Sequence, residues 1–424
     1  MHTRLVCELL LPRAMNGKHV YRTLRGGAVC LALSAAVFAS SAVAQQTPAP
    51  PGPNPDLLPT GQMPLSPNAE AFRTHVGLLL QEHTYLAGAT TEALIMGRRE
   101  EYLANQAMLN ANTVELSRVI GALYGPANEA QFFQGWKRHI QDYELYAQGA
   151  MTGSAAQKQQ ARADLDAYVA EAQTFLQSLN PNAPTGRLGS ALADHVHGTL
   201  DVIDAQAAKD VTRAYTLGRA GASMTANMLG DPLALSIIQE FPERFPGDPN
   251  ATDAGFRRQT ALLVQADTIL GGAVLSNTVM GRTPEANAIS GVLEQNTTDL
   301  TNLVGGRLGD STEFASFWRN RQNALMTYAQ AVPANDNGGR QQAVAQLSGF
   351  GQNIDQLFTP VGGSVLSERF VPQDTYVTSA LDALGAHDVG TAKAFLGGAS
   401  KQSEEIGIRL ALAAATAATA AQAR

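Results

Sequence analysis

The sequence predicts an all-α protein, in which two tandem helical bundles of about six helices each follow a signal peptide and a proline-rich linker. Three observations carry this expectation. Apolar residues recur at steps of three and four through almost the whole chain, and strand-type alternation is nearly absent. The chain also matches itself at a fixed spacing. Phe72-Arg73 aligns with Phe256-Arg257, and at that spacing of 184 Met96-Gly97-Arg98 falls on Met280-Gly281-Arg282, Asn112 on Asn296, and Gly125 on Gly309. After a two-residue shortening, Phe132, Trp136 and Tyr146 fall on Phe314, Trp318 and Tyr328.

The first element is a leader over residues 1–44. Arg22 and Arg25 precede an apolar run from Ala28 to Phe38 that closes on Ala42-Val43-Ala44, the small-residue exit of a secretory signal. Met15 is an alternative start. Both cysteines, Cys7 and Cys30, lie in this segment, so the processed chain carries no thiolate ligand or nucleophile and no disulfide. Removing residues 1–44 takes away five basic side chains and one acidic one, which leaves 25 against 36 and a net charge of −11. Such a balance disfavours nucleic acid and anionic membrane as partners, because both need a basic face. No later run reaches the roughly 20 apolar residues of a membrane span, and the expected location is periplasmic or extracellular.

Residues 45–66 are proline-dense, lack apolar periodicity and read as an extended linker. Bundle one is expected over residues 67–245. Its first stripe is Phe72, Val76, Leu79, His83, Leu86, Thr90 and Ala93, and its second is Leu109, Asn112, Leu116, Val119 and Leu123. The third helix carries Phe132, Trp136, His139, Tyr143 and Tyr146, and the fifth carries Leu188, Leu192, His195 and Thr199. Asp210 is the expected N-cap of a last segment, Val211 to Gln239, with a break near Gly230-Asp231-Pro232. A proline-rich turn from Phe241 to Pro249 precedes bundle two, which is expected over residues 254–420 on the same plan.

Five of the six histidines beyond the leader lie in the first half. Three of them, His83, His139 and His195, align with Asp267, Arg321 and Gln373. Each sits with Asn112 in an apolar stripe, and a buried polar group without a partner costs roughly 1–3 kcal/mol, so these side chains are expected to meet. Glu82, Asp142 and Asp194 are adjacent carboxylates able to orient an imidazole or join it at a metal. Two readings remain open. One is a divalent-metal centre of His83, His139 and His195 with Asn112, Glu82 and Asp142 as oxygen donors, holding copper, iron or zinc. The other is a buried hydrogen-bond network that fixes helix register without a ligand. Glu-x-x-His pairs and a His-Glu-x-x-His motif are both absent. In the second half, Asp267 and Arg321 are expected to form an ion pair. His75, His197 and His387 read as rim or surface residues, and Met224 with Met228 as core rather than soft ligands.

The segments Glu82-His83-Thr84-Tyr85-Leu86, Leu109-Asn110-Ala111-Asn112, Ile120 to Gly125, Trp136-Lys137-Arg138-His139-Ile140 and Asp204-Ala205-Gln206-Ala207 resemble a helical domain of secreted bacterial proteins associated with copper-amine-oxidase-like chains. The resemblance covers residues 70–240. It implies a helical fold and hints at copper, but the oxidase chemistry itself needs a tyrosine-derived cofactor in a β-rich domain, which a helical chain lacks. No Gly-x-Ser-x-Gly elbow or phosphate-binding glycine loop is present. The sequence therefore reads as an exported envelope binding or structural module with a histidine-based candidate metal site in its first half and no indicated protein partner. The alternative is a metal-dependent enzyme of ferritin-like type, redox or peroxide-directed, that uses the same residues.

Overall fold

Capping chemistry sets the helix ends. In the computed structural model, which describes residues 68–358 and 366–422, the Asn68 side chain accepts the Ala71 N–H at 2.8 Å and opens α1, Ala69–Ile95. The leader and linker lie outside the described residues. Gly97 follows α1 with a φ of 66°, and Gly281 follows α8, Ala254–Val279, with 70°, a conformation that costs glycine no Cβ clash. Pro126 starts α3, Pro126–Thr152, where its missing N–H is no loss. Asp210 caps as expected, its carboxylate accepting the Arg213 N–H at 3.0 Å.

Among the described residues the chain is all-helical, with no strand. The first half runs α1, α2 (Arg99–Tyr124), α3 (Pro126–Thr152), α4 (Ala155–Leu179), α5 (Thr185–Ala207), α6 (Val211–Met224), a π-helical segment (Thr225–Gly230) and α7 (Asp231–Glu240). The second runs α8 (Ala254–Val279), α9 (Thr283–Leu308), α10 (Thr312–Ala331), α11 (Asn337–Phe358), α12 (Ser367–Gly385) and α13 (Val389–Gln422). The expected break near Pro232 takes the form of the π-helical turn. Proline has no N–H to return to the preceding turn, so the ladder widens before it.

Helix α1 packs against α2, α3, α5, α6, the π-helical segment and α7, while α8 packs against α9, α10, α12 and α13. Each of these two helices is the axis around which its half buries apolar stripes. In the first half Phe72, Leu109, Trp136, Leu188 and Leu229 share one core; in the second Val264, Phe314, Trp318, Phe350 and Phe370 share another. Full burial of a side chain such as Phe72 contributes about 1.5–3 kcal/mol.

The halves interlock. All described residues belong to one compact unit, with α1 against α8, α6 against α9, and α13 against α2. Arg258 on α8 donates to the Ala226 carbonyl at 2.7 Å and to Asn227 Oδ1 at 2.6 Å, which satisfies backbone in the π-helical turn from across the seam. By length and composition alone helix α8 could cross a membrane, but 78% of its most apolar 18-residue window is buried inside the protein.

Candidate metal centre

Three helices of the first half deliver one imidazole each to a single point. His83 comes from α1, His139 from α3 and His195 from α5, and all three are buried. One ring nitrogen from each lies within 4.8 Å of the other two. Nε2 of His139 stands 3.2 Å from Nε2 of His83. The periodicity explains the convergence, because i, i+3 and i+4 positions share a helix face and each histidine occupies the middle of a buried stripe.

Partners fix the tautomers. Trp136 Nε1, which can only donate, gives its hydrogen to His83 Nδ1 at 3.2 Å. A neutral His83 therefore carries its proton on Nε2 and donates it to His139 Nε2. His139 then holds its own proton on Nδ1, which faces the Trp136 and Gly135 carbonyls one turn back without a hydrogen bond of good geometry. His195 Nδ1 lies 3.0 Å from Thr225 Oγ1, whose hydroxyl donates to the Gly221 carbonyl at 2.8 Å. Thr225 thus accepts from His195 and leaves His195 Nε2 as a bare lone pair, buried and unpartnered.

Burial, followed by mutual repulsion, holds His83 and His139 far below the usual imidazole pKa, and burial alone lowers His195 to about 4. The three rings are neutral near pH 7, and the lone pair of His195 Nε2 is the one left without a hydrogen bond. Aromatic faces wall them in. Tyr168 stacks on His139 at 4.7 Å between centroids, and Tyr143 meets it edge-on at 5.3 Å. The outer faces of Trp136 and Tyr168 line an apolar cavity of about 360 Å³.

The carboxylates expected as oxygen donors, Glu82 and Asp142, are not in this group, and Asn112 keeps a buried Oδ1 without a hydrogen bond. Asn112 donates to the Leu79 carbonyl and to Glu82 Oε2, both at 3.0 Å. Glu82 spends its other oxygen on Ser400 of α13 at 3.1 Å, and burial raises its pKa. These two residues form their own buried link between the halves. Asp142 has one unpartnered buried oxygen, and burial together with Asp164 pushes its pKa up to about 6, but it does not join the imidazoles. Asp194 precedes His195 and is exposed. Among histidine, cysteine and carboxylate ligands of the described residues, the group offered to an ion is the three imidazoles, without a carboxylate.

The counterpart layer of the second half differs from expectation. Trp318 Nε1 donates to Asp267 Oδ1 at 3.2 Å, but Arg321 does not pair with Asp267. Its guanidinium reaches Asp374 Oδ1 at 2.6 Å and Gln373 Oε1 at 2.8 Å. Asp267 is satisfied instead by Gln322 Nε2 at 2.7 Å along with Trp318. A planar, multi-donor guanidinium is better held by two adjacent acceptors on one helix than by a carboxylate already engaged.

Sequence reasoning missed Thr225 and Tyr168, and gave Trp136 no role beyond its place in the third helix's stripe. Trp136 was legible, since it precedes His139 by one turn on the same face. Thr225 was not, because only the π-helical turn aims it at His195. His75 pairs with Glu404 at 3.0 Å and His197 with Asp166 at 2.8 Å, both away from the triad. No protein-family profile, curated protein or solved structure matches this chain.

Proposed function

We propose that the chain is an exported helical binding module, built from two copies of one six-helix unit, whose first copy binds a divalent transition ion through His83, His139 and His195. Copper, iron and zinc all accept imidazole nitrogen. The observation that carries the reading is a trio of buried neutral imidazoles in which His195 Nε2 has no partner. A tetrahedral shell with bonds of 2.0–2.1 Å has edges of about 3.4 Å. The His83–His139 nitrogens already stand at that edge at 3.2 Å, so binding closes the wider separations, the largest of which is 4.8 Å, by up to about 1.4 Å. Thr225 would serve as the outer partner that orients His195, as ligating histidines require.

Equivalent hydrogen bonds at matched positions support the duplication. Asn112 and Asn296 each donate to a backbone carbonyl 33 residues earlier at 3.0 Å. Tyr146 and Tyr328 donate to Asp204 and Asp382 at 3.1 and 2.8 Å. Export rests on the leader, and the net negative charge suits an envelope compartment. A second reading, a ligand-free polar layer, is favoured by the tryptophan bonds, since Trp136 and Trp318 both find an acceptor at the same place whether histidine or aspartate fills it.

The test is elemental analysis and calorimetric titration of the purified protein with Cu(II), Zn(II) and Fe(II). One ion per chain, lost in His195→Ala, is the expected result. Absence of stoichiometric metal in the unaltered protein assigns the triad to the ligand-free layer. A bound redox-active ion that turns over peroxide would move the protein to the ferritin-like enzymatic alternative.

A further inference from the structure

A second polar centre lies at the seam between the halves. A cavity of about 140 Å³ runs between α1, α2, α6, α8 and α13, walled by Met108, Leu217, Ile269, Leu270 and Leu396. One end is charged. Arg98 meets Glu285 at 3.2 Å and Glu92 at 3.6 Å, Arg282 meets Glu101 at 2.7 Å, and Tyr215 donates to Glu92 at 2.9 Å. Every carboxylate at this end has a partner.

Several other groups at this end do not. Ser276 Oγ, Asn277 Oδ1 and Arg282 Nε are buried with no hydrogen bond, and all three residues line the cavity. Lys393 of α13 lines it as well and makes no hydrogen bond or ion pair among the described residues. Burial lowers the lysine pKa, with Glu101 and Glu92 opposing. A buried donor left unmade costs free energy unless something fills it.

The two halves show what is missing. At the spacing of 184, Ser276 matches Glu92. At the spacing of 178 that sets Asp388-Val389 on Asp210-Val211, Lys393 matches Tyr215. The first half closes this pair of positions with the Tyr215–Glu92 hydrogen bond. The second half places a short hydroxyl and a cation there, with space between the helices and no carboxylate of its own at the pair. The unmet capacity is mostly donor: an ammonium, a guanidinium N–H and a hydroxyl, against the single acceptor Asn277 Oδ1.

We infer that the seam cavity binds a small amphipathic carboxylate, its carboxyl group on Lys393, Arg282 and Ser276 and its apolar body between Met108 and Leu270. The volume sets the size, since a cavity of about 150 Å³ accommodates benzene. Benzoate and hexanoate are thus suitable probes. The ligand stands where the first half has the Glu92 carboxylate, and this site is independent of the histidine triad.

Calorimetric titration of the purified protein with benzoate, with benzamide as the neutral isostere, tests the assignment. One saturable benzoate site is expected, with benzamide at least tenfold weaker. Lys393→Met should weaken benzoate at least tenfold and Ser276→Ala several-fold. The double variant Ser276→Glu/Lys393→Tyr installs the pair that the first half uses, and it should keep the helical circular-dichroism spectrum while losing benzoate binding. A protein that binds neither benzoate nor hexanoate, so that the cavity holds only water, overturns the proposal. So does equal affinity for benzoate and benzamide, or folded variants that bind benzoate as the unaltered protein does.

Discussion

Gln81 Nε2 donates to Gln265 Oε1 at 2.9 Å, and the two glutamines stand at the spacing of 184 that matches Phe72 to Phe256. A residue can touch its own counterpart only near a two-fold axis. Arg98–Glu285 and Arg282–Glu101 are reciprocal pairs at the same spacing, each residue meeting the match of the other's partner. On the proposed duplication, the seam would have the form of an isologous dimer interface within one chain. The seam cavity departs from this symmetry, and so does the histidine triad within the first half.

Trp136→Phe separates the two readings of the triad. The change removes the donor that pins the His83 proton on Nε2, at a cost of about 1 kcal/mol in stability. Coordination by His83 Nε2 requires that proton to move to Nδ1, which breaks the Trp136 hydrogen bond in the unaltered protein and breaks nothing in the variant. Metal binding is therefore expected to tighten, by up to about tenfold, measured by calorimetric titration. Unchanged affinity would remove Trp136 from the site.

In the metal-free protein, held so by chelator, acid should cost stability through the triad. The folded pKa values lie below the unfolded value of about 6.5, so the unfolded chain binds more protons as pH falls. The stabilisation is complete above that value and is lost through the window down to about 4 for His195. Buried Glu82, Glu92 and Asp267, whose pKa values are raised, act in the opposite sense. Denaturation of His195→Gln beside the unaltered chain isolates the term, and the variant should be flatter between pH 6.5 and 4 by about 1.4 kcal/mol per unit.

Arg321→Met should destabilise the protein by about 3–5 kcal/mol, because Asp374 would remain buried without its cation. Urea titration reads the loss directly. A cost below about 1 kcal/mol would show that Asp374 takes up a proton or finds water without penalty.

Asp142→Asn should stabilise the chain at pH 7 and leave metal uptake unchanged. The folded carboxyl titrates near pH 6, so its charged form is disfavoured above that value, and the gain should fade as pH drops below it. Thermal melts at pH 7 and pH 4 provide the comparison. Loss of metal in this variant would restore Asp142 to the ligand set.

What the sequence determined was local. Helical period, the caps at Asn68 and Asp210, the proline at Pro126 and the faces of His83, His139 and His195 all follow from neighbours within about two turns. Three imidazoles in the middle of three buried stripes were bound to point inward, and that much of the site was legible. Which polar group meets which was decided by tertiary structure. Glu82 turns to Ser400, 318 residues away, rather than to the adjacent His83; Arg321 takes Asp374 rather than Asp267; and Thr225 reaches His195 only because the π-helical turn rotates it there. Periodicity specifies the face of a helix but not the axial offset of the helix opposite. A hydrogen bond exists or fails over a few tenths of an ångström, a scale set by how the packed cores of both halves settle against each other.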